Sequence, residues 1–246
     1  PRSTHCISSA ASMCIRDRKK IEEMDVVFLM DRFGYAKTVD VSVYERNKEA
    51  ADTENRYILT CKNTDKICIF TNKGQMHLLK VLDLPYGKFR DKGIPIDNLS
   101  NYNSSEENFI YIINLGAIIH SRLLFGTKTA MLKMVDGSEF DVAKRTTAST
   151  KLNEDDELLI VHAMTGEETV VMQSEKEMFL RIEASTIPEK KKGAVGVRGM
   201  KLNAGDALSN IYVLDGESEQ TVEVKGKEVV LNRLRVGNRD TKGTKR

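Results

Sequence analysis

Tryptophan is absent from this chain of 246 residues, and aromatic residues make up only 6% of it. The core must therefore consist mainly of Val, Ile, Leu and Met, a composition that favours β-strands. Scarce aromatic residues also argue against a groove that stacks unpaired bases. No apolar run approaches the length needed to span a bilayer, so we expect a soluble protein without membrane contacts.

Cysteine is scarce as well, and its spacing excludes the usual metal motifs. The four cysteines are Cys6, Cys14, Cys61 and Cys68, with no C-x-x-C pair and no ligand-like spacing to the four histidines. A zinc site is therefore not expected. Cys61 and Cys68 lie in apolar segments and are predicted to be buried thiols of a reducing cytoplasm.

The chain also lacks a strong overall charge, since its formal net charge is +2. Its charges are nevertheless unevenly placed. Residues 190–201 contain five basic residues and no acidic one, and the segment from Lys225 to the end is strongly basic, whereas acidic residues gather at 154–157. Such runs are either solvated faces or a surface for an anionic partner.

A repeated unit organises most of the sequence: a short apolar strand, a turn, and a second strand that ends in a basic residue. It begins at Val26, Ile67, Leu123, Val170 and, in weaker form, Val222. The spacing of about 40 to 55 residues is typical of propeller blades and similar arrays. One hairpin cannot bury its own apolar face, so we predict an all-β array of about five packed units.

The two ends of the chain differ from this array. Residues 1–18 have no periodicity and match nothing downstream, so we interpret them as a segment foreign to the fold, in which metal binding by His5, Cys6 and Cys14 is not expected. Residues 19–25 are interpreted as a linker from a missing N-terminal part. Residues 26–246 are predicted to form the β domain and its basic tail.

One segment resembles a known family specifically. The stretch G-A-V-G-V-R-G-M-K-L-N-A-G-D from Gly193 to Asp206 resembles a signature of the C-terminal domain of bacterial type IIA topoisomerase A subunits, which belong to DNA gyrase and topoisomerase IV. The hairpins from Val26 and Ile67 and the ending L-N-R-L-R-V-G-N-R-D-T-K-G-T-K are similar to the same family. The resemblance covers most of residues 26–245 and implies a β-pinwheel, a propeller-like disc of four-stranded blades.

The resemblance also implies a function without chemistry in this fragment. The disc of this family binds and bends double-stranded DNA on a basic rim. The implied partners are duplex DNA, an ATPase B subunit, and the rest of a dimeric A subunit, with no membrane, in the bacterial cytoplasm at the nucleoid. No cofactor is expected here, whereas the holoenzyme of this family uses ATP and Mg.

One departure bears on the type of topoisomerase. Gyrase subunits carry a Gln-Arg-Arg-Gly-Gly-(Lys/Arg)-Gly box just after the first hairpin, and that box is needed to wrap DNA. This chain has Y-E-R-N-K-E-A-A-D-T-E-N-R-Y there, a loop or short helix from Tyr44 to Tyr57. The sequence therefore favours a topoisomerase IV type, which relaxes and decatenates DNA, with a gyrase domain as the alternative.

Basic residues at hairpin ends and in the loops after them are the candidate DNA contacts, because they would line one edge of each blade. We place the strongest expectation on Arg198, Lys201, Lys191 and Arg145. The full set is Lys37, Lys73, Lys80, Lys88, Arg90, Lys92, Lys128, Lys133, Lys144, Arg145, Arg181, Lys190, Lys191, Lys192, Arg198, Lys201, Arg233, Arg235 and Arg239.

Other chemistry is not supported by the sequence. Tyr57 lacks the context of the family's DNA-cleaving tyrosine and is expected in a core or interface, and His77 is expected at the surface or facing DNA. Gly93, Gly196 and Gly199 precede no helix, so they are predicted to allow positive φ at turns, not to cradle phosphate. A protein-interaction scaffold remains an alternative that would need an exposed apolar face, and a hydrolase would need clustered carboxylates or a nucleophile pair.

Overall fold

The computed structural model describes residues 21–246, so the interpretation of residues 1–18 lies outside the described range. Within that range β-strands are the main regular structure, three short α-helices accompany them, the third at Leu115–Ile118, and no helix is long and apolar enough to cross a bilayer. The strands are β1 (Asp25–Asp31), β2 (Tyr35–Asp40), β3 (Asn55–Lys62), β4 (Lys66–Thr71), β5 (Gln75–Lys80), β6 (Ile94–Pro95), β7 (Phe109–Asn114), β8 (Arg122–Thr127), β9 (Met131–Asp136), β10 (Thr146–Ala148), β11 (Leu158–Met164), β12 (Thr169–Ser174), β13 (Met178–Glu183), β14 (Val197–Arg198), β15 (Leu208–Leu214), β16 (Thr221–Val224), β17 (Lys227–Val230) and β18 (Thr244–Lys245).

The five predicted units are five antiparallel hairpins: β1–β2, β4–β5, β8–β9, β12–β13 and β16–β17. In the first four, the last turn residue has a positive φ angle, and it is Gly34, Gly74, Ala130 and Glu177 in chain order. A left-handed residue at this position closes a short hairpin loop. Glycine therefore marks only the first two of these turns in the sequence, although all four share the same backbone.

Four of the hairpins are the centres of four-stranded sheets. Sheet A has the order β3-β1-β2-β6, sheet B β10-β5-β4-β7, sheet C β11-β8-β9-β14, and sheet D β15-β12-β13-β18. The strands next to β1, β4, β8 and β12 contact one another in chain order, β3 with β7, β7 with β11, and β11 with β15. We call these the inner strands, and the strands at the opposite edges, β6, β10, β14 and β18, the outer strands.

The outer strands interlock the sheets. Each outer strand follows the hairpin of the next sheet in the chain, so the chain returns to the preceding sheet before it forms its next inner strand. The fifth hairpin, β16–β17, pairs only with itself within residues 21–246, and β18 after it completes sheet D. The all-β pinwheel predicted from the sequence is confirmed, with four complete four-stranded blades and a two-stranded fifth unit.

The cores lie between consecutive sheets. On β1, Val26, Phe28 and Met30 pack against sheet B, whereas Val27 and Leu29 face the other way. Similar clusters join sheets B and C, sheets C and D, and sheet D with the fifth hairpin. Because both faces of a central strand are buried, its sequence is a continuous apolar run instead of an alternating one.

The free face of sheet A is covered by two short helices, α1 (Val41–Arg46) and α2 (Lys48–Glu54). Asp40 caps α1 by accepting a hydrogen bond from the Ser42 amide. Val41, Val43 and Tyr44 from this segment pack on the exposed side of β1 and β2, together with Phe89. The short-helix option for this region is therefore confirmed, and the helices act as a cap on the first blade.

Glycines occur where the outer strands approach their neighbours. A Cβ on Gly93 would lie 2.8 Å from the Ala36 oxygen, one on Gly196 2.6 Å from the Leu132 oxygen, and one on Gly243 2.7 Å from the Phe179 oxygen. Only Gly196 of the three predicted turn glycines has a positive φ, of 108°. The prediction for Gly93 and Gly199 was therefore wrong, because close packing and not backbone angle requires glycine there.

We predict that Gly196→Ala lowers the free energy of unfolding by about 2 to 4 kcal/mol, because it adds a backbone clash to a strained φ angle. Gly193→Ala is the matched control in the same loop, since a Cβ on Gly193 would meet no atom within 4 Å and the φ of this residue is not positive. Urea unfolding of both variants measures the difference. Equal midpoints for the two variants would contradict this role of Gly196.

Candidate nucleic-acid interface

The segments that lead from each hairpin to the outer strand of the preceding sheet occupy equivalent places in the fold. We call them the outer segments and define them as residues 84–95, 141–148, 188–201 and 233–246. Each begins at the end of, or just after, a 3-10 turn that closes a hairpin, and each ends with or shortly after the outer strand. The interlocked topology therefore brings four distant parts of the sequence to the outer edges of consecutive sheets.

The outer segments concentrate the basic charge of the protein. They contain sixteen Lys and Arg residues but only four acidic residues, Asp91, Asp141, Glu189 and Asp240. Because the whole chain has a net charge of only +2, the remainder of the chain is acidic. The near-neutral total conceals a charge separation between the outer edge and the rest of the molecule, which is the pattern expected of a surface for a polyanion.

Three outer segments form a loop that leaves the sheet edge and returns to it. In sheet A, Tyr86 bridges to Thr38 and Ile94 pairs with Ala36, so residues 87–93 protrude between the two positions of β2 that flank Lys37. Residues 190–196 protrude from sheet C in the same way, and residues 237–243 from sheet D. In sheet B, β10 continues its pairing directly and the segment has no such loop.

Most of the predicted contact residues lie on the outer segments. Lys88, Arg90, Lys92, Lys144, Arg145, Lys190, Lys191, Arg198, Lys201, Arg233 and Arg235 are exposed there, while Lys192 and Arg239 are half-buried. The basic residues Lys242, Lys245 and Arg246 share the last outer segment and are exposed, although they were not in the predicted set. The basic C-terminal run was the signal that could have included them.

Three predicted residues lie away from the outer segments at the surface. Lys80 ends β5 and is exposed. Lys73 and Lys128 occupy two hairpin turns and both pair with Glu157, at 3.0 Å and 3.4 Å. Hydrogen bonding to Lys73 is the main reason that the pKa of Glu157 is lowered. These two lysines join the turns of sheets B and C through one carboxylate.

Lys133 is the most deeply buried of the predicted contacts. Its side chain is only 1% exposed. Its ammonium donates to the carbonyl oxygens of Lys192 and Ala194, each at 2.7 Å, and to that of Lys191 at 3.3 Å. Burial lowers the pKa of Lys133 to about 8, although nearby Glu139 opposes the shift. The structure therefore places this lysine inside the fold, beneath the loop of residues 190–196.

Lys37 and Arg181 also point to backbone carbonyls. Lys37 donates to the Phe89 and Asp91 oxygens, the latter at 3.0 Å, and so lies beneath the loop of residues 87–93. Arg181 donates to the oxygens of Asn232 and Leu234 just before the last loop. All three basic residues thus bind the chain that forms the outer edge.

The outer segments of sheets C and D contact each other. Asp240 forms an ion pair with Arg198 at 3.5 Å, and the Arg239 guanidinium donates to the Arg198 carbonyl oxygen at 2.8 Å. The Lys201 amide donates to the Thr241 oxygen at 2.9 Å. The segment G-V-R-G-M-K that carries the family resemblance is therefore the connection between two neighbouring basic loops.

The expectation that His77 lies at the surface was wrong. Its side chain is 2% exposed and sits between Glu107, at 3.2 Å, and Thr146, at 3.1 Å. Both faces of β5 are covered by neighbouring sheets, so a side chain on either face of this strand is buried. Tyr57 packs half-buried against the cluster between sheets A and B, as predicted for a core aromatic. Cys61 and Cys68 are buried thiols whose pKa values burial raises, also as predicted.

No arrangement suited to hydrolysis stands out in the described part of the chain. Residues 21–246 contain no group of three or more His, Cys, Asp or Glu side chains placed to hold a metal ion. A cleft of about 750 Å³ beside α2 is lined by acidic and basic residues together, including Glu54, Asp91 and Arg90. The large exposed apolar side chains include Phe33, in the turn of the first hairpin, and Leu82, just after β5.

The segment after the first hairpin carries no concentrated positive charge. Helices α1 and α2 contain Arg46 and Lys48 but also Glu45, Glu49, Asp52 and Glu54. Lys48 pairs with Asp52 at 2.9 Å. This segment therefore differs in charge from the basic box expected of a DNA-wrapping domain.

Comparisons with known proteins agree with this fold. A family model described as the DNA gyrase C-terminal domain, β-propeller, matches residues 121–163 and 168–215. The DNA gyrase A protein of Staphylococcus epidermidis is 29% identical over 94% of this chain, and that of Lawsonia intracellularis is 28% identical over 99% of it. The chain spans only 28% and 32% of the lengths of these two relatives.

Solved structures share the architecture at lower sequence identity. The C-terminal domain of a DNA topoisomerase IV has a TM-score of 0.80 at 22% identity, covering 91% of this chain and 73% of that one. The C-terminal domain of Escherichia coli ParC has a TM-score of 0.73 at 15% identity, covering 90% and 94%. A DNA gyrase A C-terminal domain has a TM-score of 0.59 at 17% identity, covering 90% and 76%. The resemblance identified in the sequence is confirmed.

The depressed pKa of Lys133 predicts a pH-dependent stability. Between pH 8 and 10.5 the unfolded chain keeps the Lys133 proton while the folded chain releases it, so the free energy of unfolding rises with pH across this window. Urea unfolding of the native chain and of Lys133→Met at pH 7.5 and 10.5 measures this effect. Relative to the variant, the native chain should gain roughly 3 kcal/mol in free energy of unfolding between the two pH values. Lys191→Met, whose side chain is 88% exposed, is the control. A difference that does not vary with pH would contradict the burial effect.

Proposed function

We propose that this chain is a C-terminal domain of the type IIA topoisomerase A-subunit family, and that it binds duplex DNA along its outer segments and bends it. The observation that supports this most strongly is the placement of sixteen basic residues on four equivalent segments of a nearly neutral chain. Lys and Arg on consecutive blade edges can neutralise the phosphates on one side of a duplex. Such one-sided neutralisation lowers the cost of bending DNA towards the protein.

The proposed contact set follows from exposure. It consists of the exposed basic residues of the outer segments, with Arg198, Lys201, Lys191 and Arg145 among them, and it excludes Lys37, Lys133 and Arg181, whose charged groups bind carbonyl oxygens. Phosphate contacts of this kind position a duplex without selecting a sequence. We therefore expect binding that depends strongly on salt and weakly on base sequence.

The fragment serves a larger enzyme in this proposal. The chain would join the rest of a dimeric A subunit that carries the DNA-cleaving tyrosine, together with an ATPase B subunit that uses ATP and Mg, in the bacterial cytoplasm. The fragment itself contributes DNA geometry and no chemistry. We favour a topoisomerase IV type, which relaxes and decatenates DNA, because the segment after the first hairpin is a mixed-charge cap instead of a basic box. A gyrase domain is the second candidate, since the curated relatives are gyrase A proteins.

Salt-dependent binding tests the proposed interface. We expect log affinity for a 40-base-pair duplex to fall linearly with log salt, with a slope reduced by about 0.9 for each phosphate contact removed. The variant Lys190→Ala/Lys191→Ala should lose about two such contacts. Lys48→Ala, an exposed lysine on the cap, is the matched control and should keep the native slope. An affinity that hardly changes with salt would exclude the interface.

A supercoiling assay separates the two topoisomerase types. The chain would be joined to the N-terminal region of a type IIA A subunit, then combined with the matching B subunit, ATP and Mg. We expect relaxation and decatenation without the introduction of negative supercoils, because the cap supplies no basic wrap after the first hairpin. Negative supercoiling by this enzyme would instead identify a gyrase. The same enzyme with its original C-terminal domain is the control.

A further inference from the structure

Two lysines lie at the same position of two different blades, and each donates hydrogen bonds to the carbonyl oxygens of a basic loop. Lys37 and Lys133 are the third residues after the left-handed turn residues Gly34 and Ala130 of their hairpins. Each faces a residue on the first strand of its hairpin, Leu29 and Phe125 respectively. The shared register means that the two side chains leave the sheet on the same side and at the same distance from the turn.

At each position the lysine ammonium donates hydrogen bonds to loop carbonyl oxygens that no neighbouring strand reaches. The Lys190 amide still donates to the Met134 oxygen at 2.8 Å, but residues 191–195 lie outside the strand pairing of sheet C, so their carbonyl oxygens need donors other than a neighbouring strand. A protonated lysine has three N–H groups, and at Lys133 three loop carbonyls accept them. Lys37 gives two of its donors to the loop of residues 87–93 in the same way.

The other two blades have a different residue at this position, and their outer segments are held in other ways. In sheet B the equivalent residue is His77, and that blade has no protruding loop because β10 pairs directly along β5. In sheet D the equivalent residue is Leu180, and its loop is held instead by contacts with Arg198 and Gly199 of the neighbouring segment. A lysine that donates to loop carbonyls therefore occurs in the two blades whose protruding loop is not held by Arg198 and Gly199 in this way.

The loop above Lys133 turns its own lysines in two directions. Lys192 points back, since its ammonium donates to the Glu139 oxygen at 2.7 Å and its amide to the Glu139 carboxylate at 3.0 Å. Lys190 and Lys191 remain exposed, and the Lys191 side chain reaches only a 3.5 Å contact with Glu139. The internal hydrogen bonds thus fix the backbone while two cationic side chains are left towards solvent.

We propose that Lys133 and Lys37 are positioning residues that hold the loops of residues 190–196 and 87–93 in the shape that presents their cations to DNA phosphates. The part of this inference that concerns DNA phosphates rests on the proposed function. The shape of the loops in the free protein is independent of it. Holding a loop in its bound shape before binding reduces the ordering cost of association.

The decisive variant is Lys133→Met, which keeps the length of the side chain but removes its donors. In the DNA-free chain we expect amide hydrogens of residues 190–196 to exchange at least about tenfold faster, with residues 87–93 unchanged. Duplex affinity should fall about tenfold, and the salt slope should decrease by nearly two contacts because Lys190 and Lys191 are no longer held in place. A purely structural role would change the unfolding midpoint without this loss of slope.

Two controls make the outcome specific. Lys191→Met removes one exposed charge from the same loop and should lower the slope by about one contact while leaving amide exchange unchanged. Lys37→Met should reverse the pattern, with faster amide exchange at residues 87–93 and unchanged exchange at residues 190–196. This variant also tests the proposal if Lys133→Met does not fold. Native exchange in the loops of both lysine variants, or a native slope in Lys133→Met, would overturn the proposal. A native chain that fails to bind duplex DNA would reject the proposed function instead, while the exchange measurements would still test loop positioning.

Discussion

The return of each outer strand to the preceding sheet is the interaction on which the rest of this structure depends. Without β6, β10, β14 and β18 the second strand of each of the first four hairpins would present an unpaired edge. The return also joins consecutive sheets by the chain itself, in addition to the apolar clusters between them. Most importantly, it delivers the segments with the highest basic content to one side of every blade.

The charge of the protein makes sense only in relation to this topology. A net charge of +2 predicts little attraction for DNA when it is averaged over the surface. Concentrated on the outer segments, the same residues form a local polycation, and the acidic remainder keeps the total low. Lys37 and Lys133 then have a different task from the exposed lysines, since they donate to carbonyl oxygens inside the loops, whereas the exposed lysines can meet an external anion.

The sequence predicted the hairpins well because each is a local feature, with two apolar runs and a short turn. It also predicted the outer charge, since most of the exposed candidates are on the outer segments. It could not separate Lys133 from Lys191, because both are lysines near a hairpin end and only long-range pairing decides which one lies beneath the loop. His77 was misplaced for the same reason, since a strand covered on both faces has no polar side to indicate direction. Gly93 and Gly199 are similar cases, as a backbone neighbour distant in sequence creates the need for glycine.

Localised cleavage of bound DNA tests most directly whether the duplex follows the outer edge. An iron chelate attached to single cysteines at position 193 or 143 lies on an outer segment, whereas one at position 210 lies on the exposed side of inner strand β15. Cys6 and Cys14 would be replaced, and Cys61 and Cys68 are buried. The account predicts strong cleavage from positions 193 and 143 at separate, adjacent places along a 40-base-pair duplex, and little from position 210. Cleavage mainly from position 210 would contradict it.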